Sequence, residues 1–232
     1  MLANNADLLL LSEIKLNDFN ILSKIKNFLA LCKNGPYEFI SNSGTSARGV
    51  AIIIKKNLFD SYTVTYSCPN FNALIVKFNK HDFSFQIVCN YLDNDDNVPL
   101  IRAIEGNVEK KIPTIWGGDF NSVLDLNPDM ELNLDLRNRS SHPGPKVAHE
   151  LAKIRYDHNL LDAYRFVNGD QESFTYLNFT GGSQIDFCLM SSHFKPLIKK
   201  VEHSKLSLSF DHNCVLISLN LKKKAKKKDN FK

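Results

Sequence analysis

The sequence lacks any apolar run long enough to cross a membrane. Apolar residues make up 43% of the 232-residue chain, but no stretch approaches the roughly 20 consecutive apolar residues that a transmembrane helix needs. The N-terminus also lacks the basic segment and small-residue cleavage site of a secretory signal. The sequence therefore predicts no membrane partner and no secretory route.

Cysteine is scarce, and its spacing does not predict a metal site. The chain has five cysteines, an odd number, without metal-ligand spacing. Cys89, Cys188 and Cys214 lie inside apolar strand-like runs, where a reduced cysteine packs as a small hydrophobic residue. We therefore expect a reducing compartment, nuclear or cytoplasmic.

A strong charge is also lacking in most of the chain. The formal net charge of +4 comes from the segment Lys222–Lys232, which holds seven lysines and one aspartate, whereas residues 1–221 carry 22 basic and 24 acidic side chains. We expect residues 1–221 to form one domain and residues 222–232 to be a disordered, lysine-rich tail. Nuclear targeting and nonspecific phosphate binding are the alternatives for this tail.

Strand-like runs recur along the chain, and several are continuously apolar, as in strands covered on both faces. The predicted strands are Leu8–Ser12, Val50–Lys55, Ala73–Phe78, Phe83–Asn90, Thr114–Trp116, Ser173–Tyr176, Ile185–Met190 and Cys214–Leu221. Apolar periodicity predicts helices over Asn20–Cys32, Pro145–His158 and, with a weaker pattern, Leu100–Val108. Strands with intervening helices predict a mixed α/β sandwich.

Three short acidic strings carry most of the chemical information. They are Gly117–Asn121 (GGDFN), Ser183–Phe187 (SQIDF) and Ser209–Asn213 (SFDHN). Each follows or opens an apolar run, so each places a carboxylate where a strand meets a loop. Carboxylates and a histidine at strand ends are the residue types that bind a hard cation and attack a phosphorus centre.

The first string places Asp119 and Asn121 two residues apart. In an extended segment their side chains face the same side, and Gly117 and Gly118 let the backbone approach a ligand closely. The carboxylate can align an attacking water, and the amide can donate to a phosphate oxygen. The alternative is a plain β-turn, because Gly, Asp and Asn all favour turns.

Asp186 and His212 form a second pair. A buried carboxylate that accepts from one imidazole nitrogen fixes the tautomer and stabilises the charged ring, which can then contact a pentavalent phosphate. Asp211 directly precedes the histidine and can serve a metal. An isolated Asp-His step is more often a solvated turn, but the other acidic strand ends favour the functional interpretation.

Glu13 and Tyr91 also stand at strand ends. Glu13 suits Mg²⁺, which takes one or two carboxylates together with water and substrate oxygens. The phenol of Tyr91 can touch the scissile phosphate. For both residues the alternative is an ordinary strand end without chemistry.

Taken in order, these strings resemble the endonuclease/exonuclease/phosphatase superfamily, most closely the apurinic-type endonuclease domain of LINE (non-LTR) retrotransposons. The resemblance runs from about Asp7 to Leu221. The matching motifs are LLLLSEIKL, RGVAIII, CNYLDN, GGDFNSVLD, LLDAYR, SFTY, SQIDFCLMSS and SFDHNCVLISL.

The resemblance implies a DNase I-like fold, a four-layer α/β sandwich of two packed mixed sheets flanked by helices, with Mg²⁺ or Mn²⁺ as cofactor. Asp119 would activate the attacking water, with Asn121 as its phosphate-binding partner. The implied residues are Asp119, His212, Asp186, Tyr91 and Asn121 for catalysis, Asn94 and Thr175 for substrate binding and support of the site, and Glu13 and Asp211 for the metal.

The chain departs from the family pattern at several positions. The family's first strand ends in an asparagine near the metal, and it should lie upstream of LLLLSE, where this chain starts too late to contain it. Phe210 replaces a polar residue before Asp-His, Gln184 a basic residue and Tyr164 a tryptophan. We therefore expect weak Mg²⁺ binding and poor nicking of DNA.

The function that the resemblance implies is Mg²⁺-dependent hydrolysis of one DNA strand, leaving a 3′-hydroxyl, by a domain derived from a LINE-type element. The expected partner is DNA, and the expected state is a monomer that was once part of a longer polyprotein with reverse transcriptase. One alternative is a phosphatase or phospholipid phosphodiesterase of the same superfamily. The other is a truncated, catalytically impaired relic or DNA-binding module.

Overall fold

A computed structural model of the chain describes residues 6–14, 23, 25, 27, 36–44, 48–81, 83–93, 97–124, 145–171, 173–178, 181–205 and 211–220. Its strands are β1 (Leu8–Leu11), β2 (Tyr37–Ser43), β3 (Gly49–Lys55), β4 (Ser61–Ser67), β5 (Ala73–Lys80), β6 (Phe83–Tyr91), β7 (Thr114–Asp119), β8 (Leu160–Asp162), β9 (Tyr176–Asn178), β10 (Gly181–Ser183), β11 (Asp186–Ser191), β12 (Ile198–Ser204) and β13 (Cys214–Leu219). Its helices are α1 (Val98–Gly106), α2 (Pro145–Asp157) and α3 (Ala163–Asn168), with short 3₁₀ helices at Lys56–Leu58 and Ser192–Leu197.

The larger sheet has six strands in the order β4-β5-β6-β7-β11-β8. β6 and β7 run parallel, whereas β7 and β11 run antiparallel. These registers place Tyr91 beside Asp119 on one side and Asp186 beside Asp119 on the other. The carboxyl ends of β6 and β7 therefore meet the start of β11 at one edge of the sheet.

A second layer packs on one face of this sheet. It consists of the antiparallel sheet β1-β3-β2 and the antiparallel pair β12-β13. One buried cluster joins the layers, with Ile52 of β3 and Val201 of β12 packed with Leu74, Ile87 and Cys188 of the large sheet. Because both faces of the central strands are buried, the middle of each strand is an apolar run, such as Ile87–Cys89 of β6 and Phe187–Met190 of β11.

Helices cover both outer faces. On the large sheet, Ile101 of α1 and Leu151 of α2 pack in one cluster with Trp116. On the β1-β3-β2 sheet, Phe39 packs with Ile25, which is helical. The order is thus helix, sheet, sheet, helix, and the predicted four-layer α/β sandwich is confirmed.

Several predicted bounds change in the structure. The strand predicted over Ser173–Tyr176 is wrong, because β9 begins at Tyr176, and β7 runs three residues beyond its predicted end. Within the predicted helix Asn20–Cys32, Ser23, Ile25 and Asn27 are helical, and its other residues lie outside the described part of the chain. The lysine-rich tail, residues 222–232, also lies outside the described residues.

Four of the five cysteines lie among the described residues. The thiols of Cys68, Cys89, Cys188 and Cys214 are free, and the first three are buried. Among the described helices, none combines the length and apolarity needed to span a bilayer.

Candidate active site

Three strand ends converge at the edge where β6, β7 and β11 meet. Asp119 is the last residue of β7, Tyr91 the last residue of β6 and Asp186 the first residue of β11. Residues in register on neighbouring strands project from the same face of a sheet. The fold therefore brings these three side chains, far apart in sequence, into one row.

Asp119 is the most buried carboxylate of this row, with 7% of its surface exposed. The backbone N–H of Asn121 donates to Asp119 Oδ1 at 2.8 Å, and the Asn121 amide lies 3.5 Å from Oδ2. Burial, followed by the nearby charge of Asp186, raises the pKa of Asp119 to about 7. A carboxylate poised near neutrality is suited to accept a proton from water.

The backbone around Asp119 differs from the extended segment predicted from the sequence. Asn121 has a left-handed φ of 44°, so its contact with Asp119 is made across a turn, and its side-chain amide also donates to the carbonyl of Leu92. Gly118 has a φ of 151°, and a Cβ there would lie 2.0 Å from the carbonyl oxygen of Asn90. Gly118 is therefore needed for the close approach of β6, and the approach of a ligand to this backbone stays a prediction.

His212 and Asp186 are hydrogen-bonded, with Nδ1 and Oδ2 separated by 2.8 Å. Burial lowers the pKa of His212, but the hydrogen bond and charge of Asp186, with the charges of Asp119 and Asp211, outweigh it and raise the pKa to about 9. The imidazole is therefore a cation at neutral pH, and the contact with Asp186 uses its Nδ1.

Tyr176 is a neighbour of His212 that the sequence did not identify. Its ring centroid lies 5.1 Å from that of the imidazole, and the two residues form an antiparallel β-bridge. The bridge ties the segment that carries His212 to β9. The SFTY motif was the available signal, but the motif does not reveal which residue the tyrosine contacts.

Thr175 supports the position of Asp186. Its Oγ1 accepts from the backbone N–H groups of Ile185 at 3.0 Å and Asp186 at 2.9 Å. The residue has no exposed surface, so direct contact with a substrate does not fit, whereas support of the site does.

Ser12 and Asn90 hold the end of β7, and the sequence did not single them out. Ser12 Oγ donates to the carbonyl of Asn90 at 2.9 Å and accepts from the N–H of Asp119 at 3.2 Å. The Asn90 amide donates to the carbonyl of Asp119 at 3.0 Å, and Trp116 Nε1 donates to Asn90 Oδ1 at 2.8 Å. The one signal available in the sequence was an asparagine directly after the apolar run Ile87–Cys89, and the structure shows that this asparagine is fully buried.

Glu13 and Tyr91 form the opposite side of the site. Burial of the phenol, followed by its hydrogen bond to Glu13, raises the pKa of Tyr91, so the phenol stays protonated. Glu13 is exposed and has a left-handed φ of 52°, a conformation that costs free energy in residues other than glycine. Its charge also contributes to the raised pKa of Asp119.

The carboxylates of Asp119 and Asp186 suit a hard cation, whereas the charged imidazole of His212 offers it no lone pair. Among the described residues, ligand atoms of Asp119, Asp186 and His212 lie within 4.8 Å of one another. Glu13 and Asp211, the predicted ligands, are outside this group, although their charges act on Asp119 and His212 respectively. Hard cations bind such carboxylate oxygens, and the raised pKa of Asp119 indicates negative charge that a cation would offset. Asn94 and Phe210 lie outside the described residues.

Comparisons with known proteins agree with this architecture. A family model described as the endonuclease/exonuclease/phosphatase family matches residues 1–207. A search of curated proteins gives no match.

Several solved structures share the fold. AP endonuclease LMAP from Leishmania major has a TM-score of 0.71 at 14% identity, over 94% of this chain and 80% of that chain. The 3′ phosphatase NExo from Neisseria, bound to a product DNA hairpin, has a TM-score of 0.73 at 16% identity, over 94% and 91%. The endonuclease domain of TRAS1, a telomere-specific non-LTR retrotransposon, has a TM-score of 0.56 at 16% identity, over 81% of each chain.

Proposed function

The chain belongs to the endonuclease/exonuclease/phosphatase family, and from this membership we propose that it is a Mg²⁺-dependent phosphodiesterase that nicks one strand of DNA. The observation that carries the proposal is the cluster of Asp119, Asp186 and His212. It combines a carboxylate that titrates near neutrality with an imidazole held as a cation. A base for water and a cation for phosphate are the two groups that hydrolysis of a phosphodiester requires.

Each side chain has a distinct part in the proposed reaction. Asp119 aligns the attacking water and accepts its proton, while Asn121 holds the carboxylate in place. His212, kept charged by Asp186, stabilises the negative charge that develops on the phosphate oxygens. The phenol of Tyr91 donates a hydrogen bond to the same phosphate. The water oxygen bonds to phosphorus as the bond to the 3′ oxygen breaks, and the released 3′ oxygen takes a proton from solvent, which leaves a 3′-hydroxyl and a 5′-phosphate.

The carboxylates of Glu13 and Asp211 would hold Mg²⁺ or Mn²⁺. When bound, the cation supplies charge neutralisation at the phosphate oxygens. The exposure of both carboxylates and their electrostatic influence on Asp119 and His212 support this assignment.

The proposed substrate is DNA, and the proposed origin is a LINE-type retrotransposon. The order of motifs supports this choice, as do neighbours whose names include AP endonuclease, a DNA-bound 3′ phosphatase and a retrotransposon endonuclease. We further propose one catalytic domain over residues 1–221, a monomeric state, a nuclear or cytoplasmic location and an ancestral polyprotein with reverse transcriptase. A phosphatase or phospholipid phosphodiesterase of the same family is the second candidate, because the site geometry suits any phosphate ester.

A substrate panel tests the proposal. Supercoiled plasmid, inositol phosphates and phospholipid vesicles are each incubated with the protein and Mg²⁺, with EDTA as the metal-free control. We expect the plasmid to convert to the open-circular form only with Mg²⁺, with free 3′-hydroxyl ends that a DNA polymerase extends. Release of phosphate from the lipid or inositol substrates without plasmid nicking would favour the second candidate.

A further inference from the structure

Arg48 lies at the rim of the acidic site. It directly precedes β3, and its Nη2 is 2.5 Å from Oδ2 of Asp93. Asp93 follows Tyr91 by two residues, and its charge contributes to the raised pKa of that phenol. The guanidinium is therefore attached to the side of the site that Tyr91 forms.

The backbone places Arg48 close to Glu13 as well. The N–H of Ile14 donates to the carbonyl oxygen of Gly49 at 3.0 Å, so the segment that carries Glu13 lies beside the segment that carries Arg48. Arg48 thus lies beside two segments that carry proposed site residues, one with Glu13 and the other with Tyr91.

The charge of the site explains why an arginine at its rim would help to bind DNA. Burial, and then the charges of Asp186 and Glu13, raise the pKa of Asp119, and these neighbouring carboxylates concentrate negative charge that repels a polyanion. An arginine at the rim offsets this repulsion, and its planar fork matches two oxygens of one phosphate. The Arg48 side chain is 36% exposed and that of Asp93 is 19% exposed, so the guanidinium is held in place and still reaches solvent.

We propose that Arg48 binds a backbone phosphate of DNA next to the scissile phosphate, with Asp93 as the residue that positions its guanidinium. The assignment rests on the proposed function. The reacting phosphate belongs with Asp119, Asp186 and His212, which lie close together, whereas Arg48 is joined to the site through Asp93. A neighbouring phosphate on the same strand is therefore the group that Arg48 meets.

Equilibrium binding tests this subsite without any cleavage. The affinity of a short fluorescent duplex is measured by anisotropy in EDTA over a series of salt concentrations. We expect Arg48→Ala to raise the Kd about 10- to 100-fold and to reduce the slope of log affinity against log salt by about 0.9, the change for one lost phosphate contact. The control is Arg102→Ala, whose arginine pairs with Glu150 between α1 and α2; it should leave both values unchanged.

Arg48→Lys separates the contribution of the positive charge from that of the planar guanidinium. A lysine keeps a positive charge without the planar fork, so this variant should retain the wild-type salt slope with a Kd between those of wild type and Arg48→Ala. Thermal unfolding of all three proteins is followed in parallel. A salt slope that falls equally in Arg48→Lys and Arg48→Ala would overturn the phosphate contact.

Steady-state kinetics locate the contact relative to the reacting phosphate. With Mg²⁺, Arg48→Ala should raise KM for DNA and leave kcat/KM for bis(p-nitrophenyl) phosphate unchanged, because that ester has one phosphate. Two results would overturn the subsite while leaving the proposed function intact, provided that the wild type binds and nicks DNA. One is an equal loss of activity on both substrates in Arg48→Ala. The other is a salt slope of Arg48→Ala equal to that of the wild type. Absence of DNA binding by the wild type would overturn both.

Discussion

The imidazole Nδ1 of His212 lies 2.8 Å from the carboxylate Oδ2 of Asp186, a residue 26 positions earlier in the chain. This contact holds the pKa of His212 at about 9 against the lowering effect of burial. A histidine that would be largely neutral in water at pH 7 is thereby kept charged where a phosphate would sit.

Asp186→Asn should lower the pKa of His212. The amide retains an oxygen that accepts from Nδ1 but removes the charge that favours imidazolium. We expect the NMR titration of the His212 ring protons to move from about 9 in the wild type toward lower pH in the variant. Asp60→Asn, which removes an exposed carboxylate elsewhere in the chain, is the control and should leave the His212 titration unchanged.

Asp119→Asn should stabilise the metal-free protein at neutral pH. The folded-state pKa of Asp119 is raised from 3.8 to about 7, so the folded state binds more protons than the unfolded state between these values. The free energy of unfolding therefore falls as pH rises from about 4 to about 7, by roughly 3 kcal/mol.

Urea unfolding in EDTA measures this difference. The advantage of Asp119→Asn over the wild type should grow from pH 4 to pH 7 and then remain constant. Asp170→Asn, at an exposed turn after α3, is the matched control and should show no such trend. If the difference in the free energy of unfolding between Asp119→Asn and the wild type were the same at pH 4 and pH 7, it would contradict a raised pKa of the buried Asp119 carboxylate.

Thr175→Val should impair both stability and activity. Valine has the shape of threonine but leaves the N–H groups of Ile185 and Asp186 without their shared acceptor, at a cost of about 1–3 kcal/mol for a buried donor. Because Asp186 then loses its anchor, kcat should fall as well. Thr175→Ser keeps Oγ and should restore most of the activity, which a purely volume-filling role of Thr175 would not explain.

Gly118→Ala should destabilise the fold by about 3 kcal/mol or more. Its new Cβ would lie 2.0 Å from the carbonyl oxygen of Asn90, at a φ that residues with side chains rarely adopt. Gly106→Ala is the control, because a Cβ at the end of α1 meets no atom within 4 Å and alanine favours helix by up to about 1 kcal/mol. Chemical denaturation of both variants measures the contrast, and equal stabilities would contradict the close approach of β6 and β7.

The central strands could be predicted from the sequence because their burial is two-sided. β6, β7 and β11 each contain an apolar run, Ile87–Cys89, Ile115–Trp116 and Phe187–Met190, since one face packs against the second sheet and the other against α1 and α2. β4 was missed because it is an edge strand whose polar sequence, SYTVTYS, is mostly exposed. Short strands such as β8 and β10 have too few residues to display a period.

The candidate site was predictable in its residue types but not in its geometry. Asp119, Asp186 and His212 stand out because a polar residue ends or opens an apolar run. Their proximity depends on the registers of β6, β7 and β11, which no local pattern specifies. The supporting contacts of Ser12, Asn90 and Thr175 are equally non-local, because each is made to the backbone of a distant segment.

The most direct test of the proposed function is the rate of plasmid nicking with Mg²⁺ by the wild type, Asp119→Ala and His212→Ala, with Asp170→Asn as control. Loss of a positioned base or of a charged group that stabilises the transition state typically costs about 10²- to 10⁴-fold. We predict slow, Mg²⁺-dependent nicking by the wild type and by Asp170→Asn, because the chain departs from the family pattern, and further losses of that size in both site variants. Nicking that persists at the wild-type rate in either Asp119→Ala or His212→Ala would contradict the assignment of the active site.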